Sequence, residues 1–151
     1  MAGVTFTVDL DPALLADAAA VLDRLGGSNL ADISYKVGTL LEDRAKMRIN
    51  KTKAGPDGTP WLPWSEAYDE TRNHAKHSLL IESGDLEESI QNYTVGDVIM
   101  IGTNLVYARH QQLGSGLDVG GIPARPFLGV SDQDRRDIQD LVIGQLEDLL
   151  Q

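Results

Sequence analysis

With 151 residues, 42% of them hydrophobic, the chain is long enough for one domain with a buried core. Its 23 acidic and 13 basic side chains leave a formal net charge of −10, so its bulk field repels nucleic acid, whereas proteins that grip phosphate backbones display a basic face. The absence of cysteine excludes disulfides, thiolate metal sites and a cysteine nucleophile; no apolar run reaches the roughly 20 residues of a membrane span, and MAGVTFTVDLD carries no secretory pattern.

In chain order, Val4 to Leu10 alternate and are β-branched, which predicts a short strand. Asp11-Pro12 supplies an N-cap and an N1 proline. Leu14, Ala18, Val21, Leu22 and Leu25 then follow at helical spacing until Gly26-Gly27 stops the helix. A second helix is expected from Asn29, with Asp32 completing a capping-box-like pair. Its apolar stripe is Leu30, Ile33, Val37, Leu40, Leu41 and Ala45, fading near Asn50. Arg44, Lys46, Arg48, Lys51 and Lys53 form the one local basic run, read as a solvated helix end or as a surface for an acidic partner.

Between Lys51 and Leu79 turn residues surround Trp61 and Trp64. Gly55-Pro56-Asp57-Gly58 is a turn by its chemistry, and a short helix follows from Ser65 to about Lys76. The two tryptophans either anchor this loop on the core or present a contact surface to a partner. Ser83-Gly84-Asp85-Leu86 opens a short helix to about Gln91. Asn92–Val95 and Val98–Gly102 read as strands around a Gly96-Asp97 hairpin turn. Val98 and Met100 on one side, Ile99 and Ile101 on the other, predict a sheet covered by helices on both faces. Leu105 to Leu113 is a short helix or helical turn, and Ser131-Asp132-Gln133-Asp134 has the form of a capping box before a C-terminal amphipathic helix. The expected fold class is α+β: a small, mostly antiparallel sheet packed by long N-terminal and C-terminal amphipathic helices, with long glycine-rich loops. It forms a single domain over residues 1–151 with extended loops at about 51–78 and 114–124.

Enzyme readings fail individually. His74 and His77 stand at i, i+3 without an HExxH pattern or a third ligand. Gly129-Val130-Ser131 begins like a nucleophile elbow but lacks the closing glycine, and Ser131 is better placed as an N-cap. Gly114-Ser115-Gly116 and Gly120-Gly121 lack the GKS/T of a phosphate loop. The acidic residues are scattered over helix faces. His110, in YARHQQ, has no neighbouring nucleophile or second ligand, which favours packing or an interface contact. Arg125 is a planar fork that clamps either a carboxylate on a neighbouring subunit or its own backbone. No catalytic residue, cofactor or metal site is assigned.

Four motifs in order carry a resemblance: Gly58-Thr59-Pro60-Trp61; Leu80 with Ser83-Gly84-Asp85-Leu86 and Ser89-Ile90; Ile101-Gly102 with Tyr107-Ala108-Arg109-His110-Gln111 and Gly114; and Ile122-Pro123-Ala124-Arg125-Pro126-Phe127-Leu128-Gly129. Over roughly Leu40 to Leu150 the chain resembles the phage virion morphogenesis family, the tail completion proteins of Mu-like and P2-like tailed bacteriophages. The histidine-bearing segment between Trp64 and Leu79 is shorter and less basic than that pattern leads one to expect. The resemblance implies a non-enzymatic structural protein, made in the infected host cytoplasm and assembled as a homo-oligomeric ring at the head-proximal end, or neck, of the virion tail. Implied partners are other copies of itself and neighbouring neck and tail proteins (connector or adaptor, tail terminator or tail tube). No membrane is involved, and contact with DNA passing through the lumen is at most passive. The interface candidates are Trp61, Trp64, Tyr107, His110, Gln111, Arg125 and Phe127. A small phage-encoded hydrolase and an acidic binding or inhibitor module are the alternatives.

Overall fold

The computed structural model describes residues 3–8, 29–71, 79–81, 84–95, 98–115 and 121–149. The helix expected over 12–25, the Gly96-Asp97 turn, His74, His77 and the tip of the glycine loop lie outside them. The elements are β1 (Val4–Val8), α1 (Asn29–Met47), a π-helical turn (Arg48–Thr52), α2 (Glu66–Thr71), α3 (Asp85–Ser89), β2 (Gln91–Val95), β3 (Val98–Thr103), α4 (Ala108–Leu113) and α5 (Asp132–Leu149). The class is α+β.

The sheet is antiparallel in the order β1-β3-β2, so the hairpin β2–β3 receives the N-terminal strand on its far side. Ile99 and Ile101 point into the core and are fully buried. On the opposite face Met100 pairs with Thr7 and Tyr93, and both of these are exposed, as is Val98. The expectation of a sheet buried on both faces is therefore corrected: its described residues are buried on one. The apolar content of β3 misled because the flanking strands decide a face. Thr5, Thr7 and Gln91 make the outer one polar.

Helix α1 lies between the sheet and α5, in contact with β2, β3 and α5. Its stripe is as the 3.6-residue period predicts, with Ile33, Val37, Leu41 and Ala45 buried, and it continues through Ile49 in the π-helical turn. Gly38 permits the close approach to β2, since a Cβ there would stand 3.0 Å from Asn92 Oδ1 and 3.2 Å from Thr94 Oγ1. Ile138 and Val142 of α5 complete the same core cluster, together with Leu86, Ile90, Phe127 and Leu128. Burial of a side chain such as Phe127 contributes on the order of 1.5–3 kcal/mol.

Candidate assembly surface

The segment after β3 is held by its own polar groups. In α4, Gln112 Oε1 accepts hydrogen bonds from the backbone N–H of Phe127 and of Leu128, each 3.0 Å, while its Nε2 donates to Leu128 O at 3.0 Å. One side-chain amide thereby satisfies three backbone groups of the ARPFLG segment, as buried peptide groups require. Arg125 N donates to Gln111 O at 2.7 Å, and Ser115 and Ile122 close the base of the glycine loop through two further bonds.

ARPFLG then clasps the tryptophan loop. Arg125 Nε donates to Leu62 O at 2.8 Å and Nη2 to Pro63 O at 3.0 Å, while Trp61 Nε1 donates to Pro126 O at 2.9 Å. Within the subunit Arg125 clamps its own backbone, one of the two roles open to it. The residue is 5% exposed, and burial pulls its pKa below the ordinary arginine value. Among the described residues no carboxylate lies within ion-pair distance of it.

A second anchor joins α1 to α5. Arg48 donates Nη1 to the carbonyls of Phe127 and Gly129, at 3.1 and 3.2 Å, and Nη2 to Asp134 Oδ2 at 2.5 Å. Burial lowers the Arg48 pKa, and the charge and hydrogen bond of Asp134 oppose that shift. Asp134 also closes the capping box expected at Ser131: Ser131 N donates to Asp134 Oδ2 at 3.0 Å, and Asp134 N to Ser131 Oγ at 2.9 Å. Arg44 pairs with Asp137 at 2.6 Å, Lys46 with Glu42 at 3.0 Å, and Lys53 Nζ donates to the carbonyls of Ile49 and Leu79. Most of the basic run is thus engaged inside the subunit. Lys51 is exposed.

The seven interface candidates divide. Trp61 (6% exposed), Arg125 and Phe127 (0% exposed) are buried within the subunit. Trp64 and Gln111 are half-buried, and Tyr107 and His110 are exposed at the start of α4. Val106 (69% exposed) and Leu113 extend this apolar exposure along α4, and Leu62 and Tyr68 add to it near Trp64. Sequence reasoning placed Arg48 in the basic run and Asp134 in the capping box without pairing them, and passed over Gln112. The signal for Arg48 was legible: it sits three residues beyond Ala45 on the core stripe of α1, where an arginine demands a buried partner. Among the described residues no group of three or more His, Asp or Glu could hold a metal ion, and no helix is long and apolar enough to cross a membrane.

Comparison with known proteins bears on what such a surface is for. The chain is 29% identical over 127 residues to the putative capsid assembly protein G of Escherichia phage Mu, an alignment covering 71% of this chain and 81% of that protein. No solved structure matches. The profile of the phage virion morphogenesis family matches residues 11–147. It therefore reaches further toward the N-terminus than the motifs from Leu40 onward, and takes in the segment between Trp64 and Leu79 that departs from the expected pattern. The chain belongs to the phage virion morphogenesis family, and its role is in the structural assembly of the phage particle.

Proposed function

We propose that this chain is a tail completion subunit that assembles as a homo-oligomeric ring at the neck, the head-proximal end of the phage tail, and helps join head to tail. The observation that carries this reading is the family match over residues 11–147, to which a small domain with an apolar surface around Val106, Tyr107 and Leu113 adds support. The Mu relative's name refers to capsid assembly, in keeping with a part that acts where head and tail meet. Neighbours in this reading are other copies of the chain and adjacent neck and tail proteins. DNA passes an acidic body, of net charge −10, without sticking to it. The chain acts by contact and not by catalysis.

The test is mass spectrometry and electron microscopy of phage particles made with and without the gene. The expected outcome is that the protein is present in purified virions, with its density confined to the neck, and that its deletion leaves unjoined heads and tails. Virions that lack the protein, or deletion particles that are complete and infectious, would refute the reading.

A further inference from the structure

Beside the Arg125 clasp lies a groove of about 410 Å³, walled by Trp64, Tyr68, Ile122 and Pro123 and floored in part by Gln111 and Arg125. The Trp64 and Tyr68 rings stand 6.0 Å apart, tilted at 55°, and form one aromatic wall. One polar feature of this groove is unfinished. Arg125 uses Nε and Nη2 on the carbonyls of Leu62 and Pro63, both neutral acceptors, and its charge meets no carboxylate among the described residues. Arg48, the other buried arginine, has Asp134.

A cation without a counter-ion among the described residues, beside apolar walls, describes a complement: an acidic residue in a polypeptide, with its carboxylate toward Arg125. We infer that this groove receives an acidic side chain from the adjacent copy of the chain in the assembled ring. The inference rests on the ring reading above and assigns the contact within it. Charge complementarity selects the occupant. Acidic side chains outnumber basic ones 23 to 13, and Asp43, Glu70, Asp140 and Glu147 are exposed, so a second copy brings carboxylates on every approach. Groove on one copy and acid on the next is a heterologous contact, the kind that closes into a ring when the rotation allows. Whole subunits of charge −10 repel, so a concealed local arginine gives the contact its selectivity.

The experiment is sedimentation velocity of the full chain over a rising concentration series. Ile122→Asp places a carboxylate at the groove wall beside Arg125 while leaving the Arg125 and Trp61 bonds in place, and Trp64→Ala removes half of the aromatic wall. Ile143→Asp, exposed on α5 and not lining the groove, controls for added charge. Far-ultraviolet circular dichroism verifies that each variant is folded. The wild type is expected to rise above the 16.4 kDa monomer with concentration. Ile122→Asp and Trp64→Ala should weaken that association about tenfold or more, the loss of a hot-spot contact, with Ile143→Asp behaving as wild type. A wild type that stays monomeric at every concentration overturns the inference, as does equal loss in Ile122→Asp and Ile143→Asp, or none in the groove variants. The particle analysis above is read separately: a neck protein whose self-association ignores the groove sinks this inference and leaves the proposed function standing, and a self-associating protein absent from virions does the reverse.

Discussion

Arg48 Nη2 lies 2.5 Å from Asp134 Oδ2, joining the end of α1 to the start of α5 across 86 positions of sequence, with both side chains buried. Asp134 is at once the counter-ion of Arg48 and the third-position acid of the α5 capping box, so helix initiation and helix packing share one carboxylate.

Removing that carboxylate strands a buried guanidinium. Asp134→Ala should destabilise the protein by about 3–5 kcal/mol, the usual consequence of halving a buried ion pair. Ser131→Ala, which removes only the cap hydroxyl, should lose about 1 kcal/mol. Urea denaturation of the two variants measures both, and a ratio near one would show that the Arg48 contact is energetically idle.

Gln112 is the corresponding pin for ARPFLG. Gln112→Leu keeps the bulk of the side chain but leaves two backbone N–H groups and one carbonyl to find other partners. A loss of about 1–3 kcal/mol per group that stays buried and unsatisfied is expected. Hydrogen exchange at the amides of Phe127 and Leu128 should accelerate in this variant, while exchange in the middle of α1 responds only through global stability.

Glu42 adds a dependence on acid. Burial pushes its carboxyl up, but hydrogen bonds from Lys46 and Asn92, with the Lys46 charge, hold the pKa below its ordinary value of 4.5. A folded pKa that is depressed stabilises the protein above the unfolded value, and this contribution is lost as the pH falls through the folded one. Glu42→Gln should therefore be less stable than wild type at neutral pH, with the difference shrinking below pH 4.5. Denaturation midpoints followed from neutral pH down to about pH 3 check this, and a constant difference would rule it out.

Much of the architecture was legible because it is local chemistry. The α1 stripe follows from its 3.6-residue period, the Ser131–Asp134 capping box from residue types at fixed spacing, and the strands β2 and β3 from their alternating runs. The outer face of the sheet was misjudged because period-2 alternation in β3 does not say what Thr7 and Tyr93 place beside Met100. That is a property of strand register, which joins residues far apart in sequence.

The candidate surface shows the same division. Its motifs, and with them the family, were readable from residues 58 to 129 in order. Which of those residues face outward was not. Trp61, Arg125 and Phe127 have the composition of an interface, yet Trp61 and Arg125 join a clasp between loops and Phe127 packs in the core, with partners specified only by the folded chain. By itself the sequence determined the class, the helix faces, the caps and the kinship, because those depend on neighbours a few positions away. Only the tertiary structure decided that Arg48 would find Asp134, that Arg125 would hold backbone carbonyls without a counter-ion among the described residues, and that Tyr107 and Val106 would remain outside. The physical reason is that burial and pairing are settled by long-range packing. A charge or a ring carries no mark of the partner it will meet until the chain has closed around it.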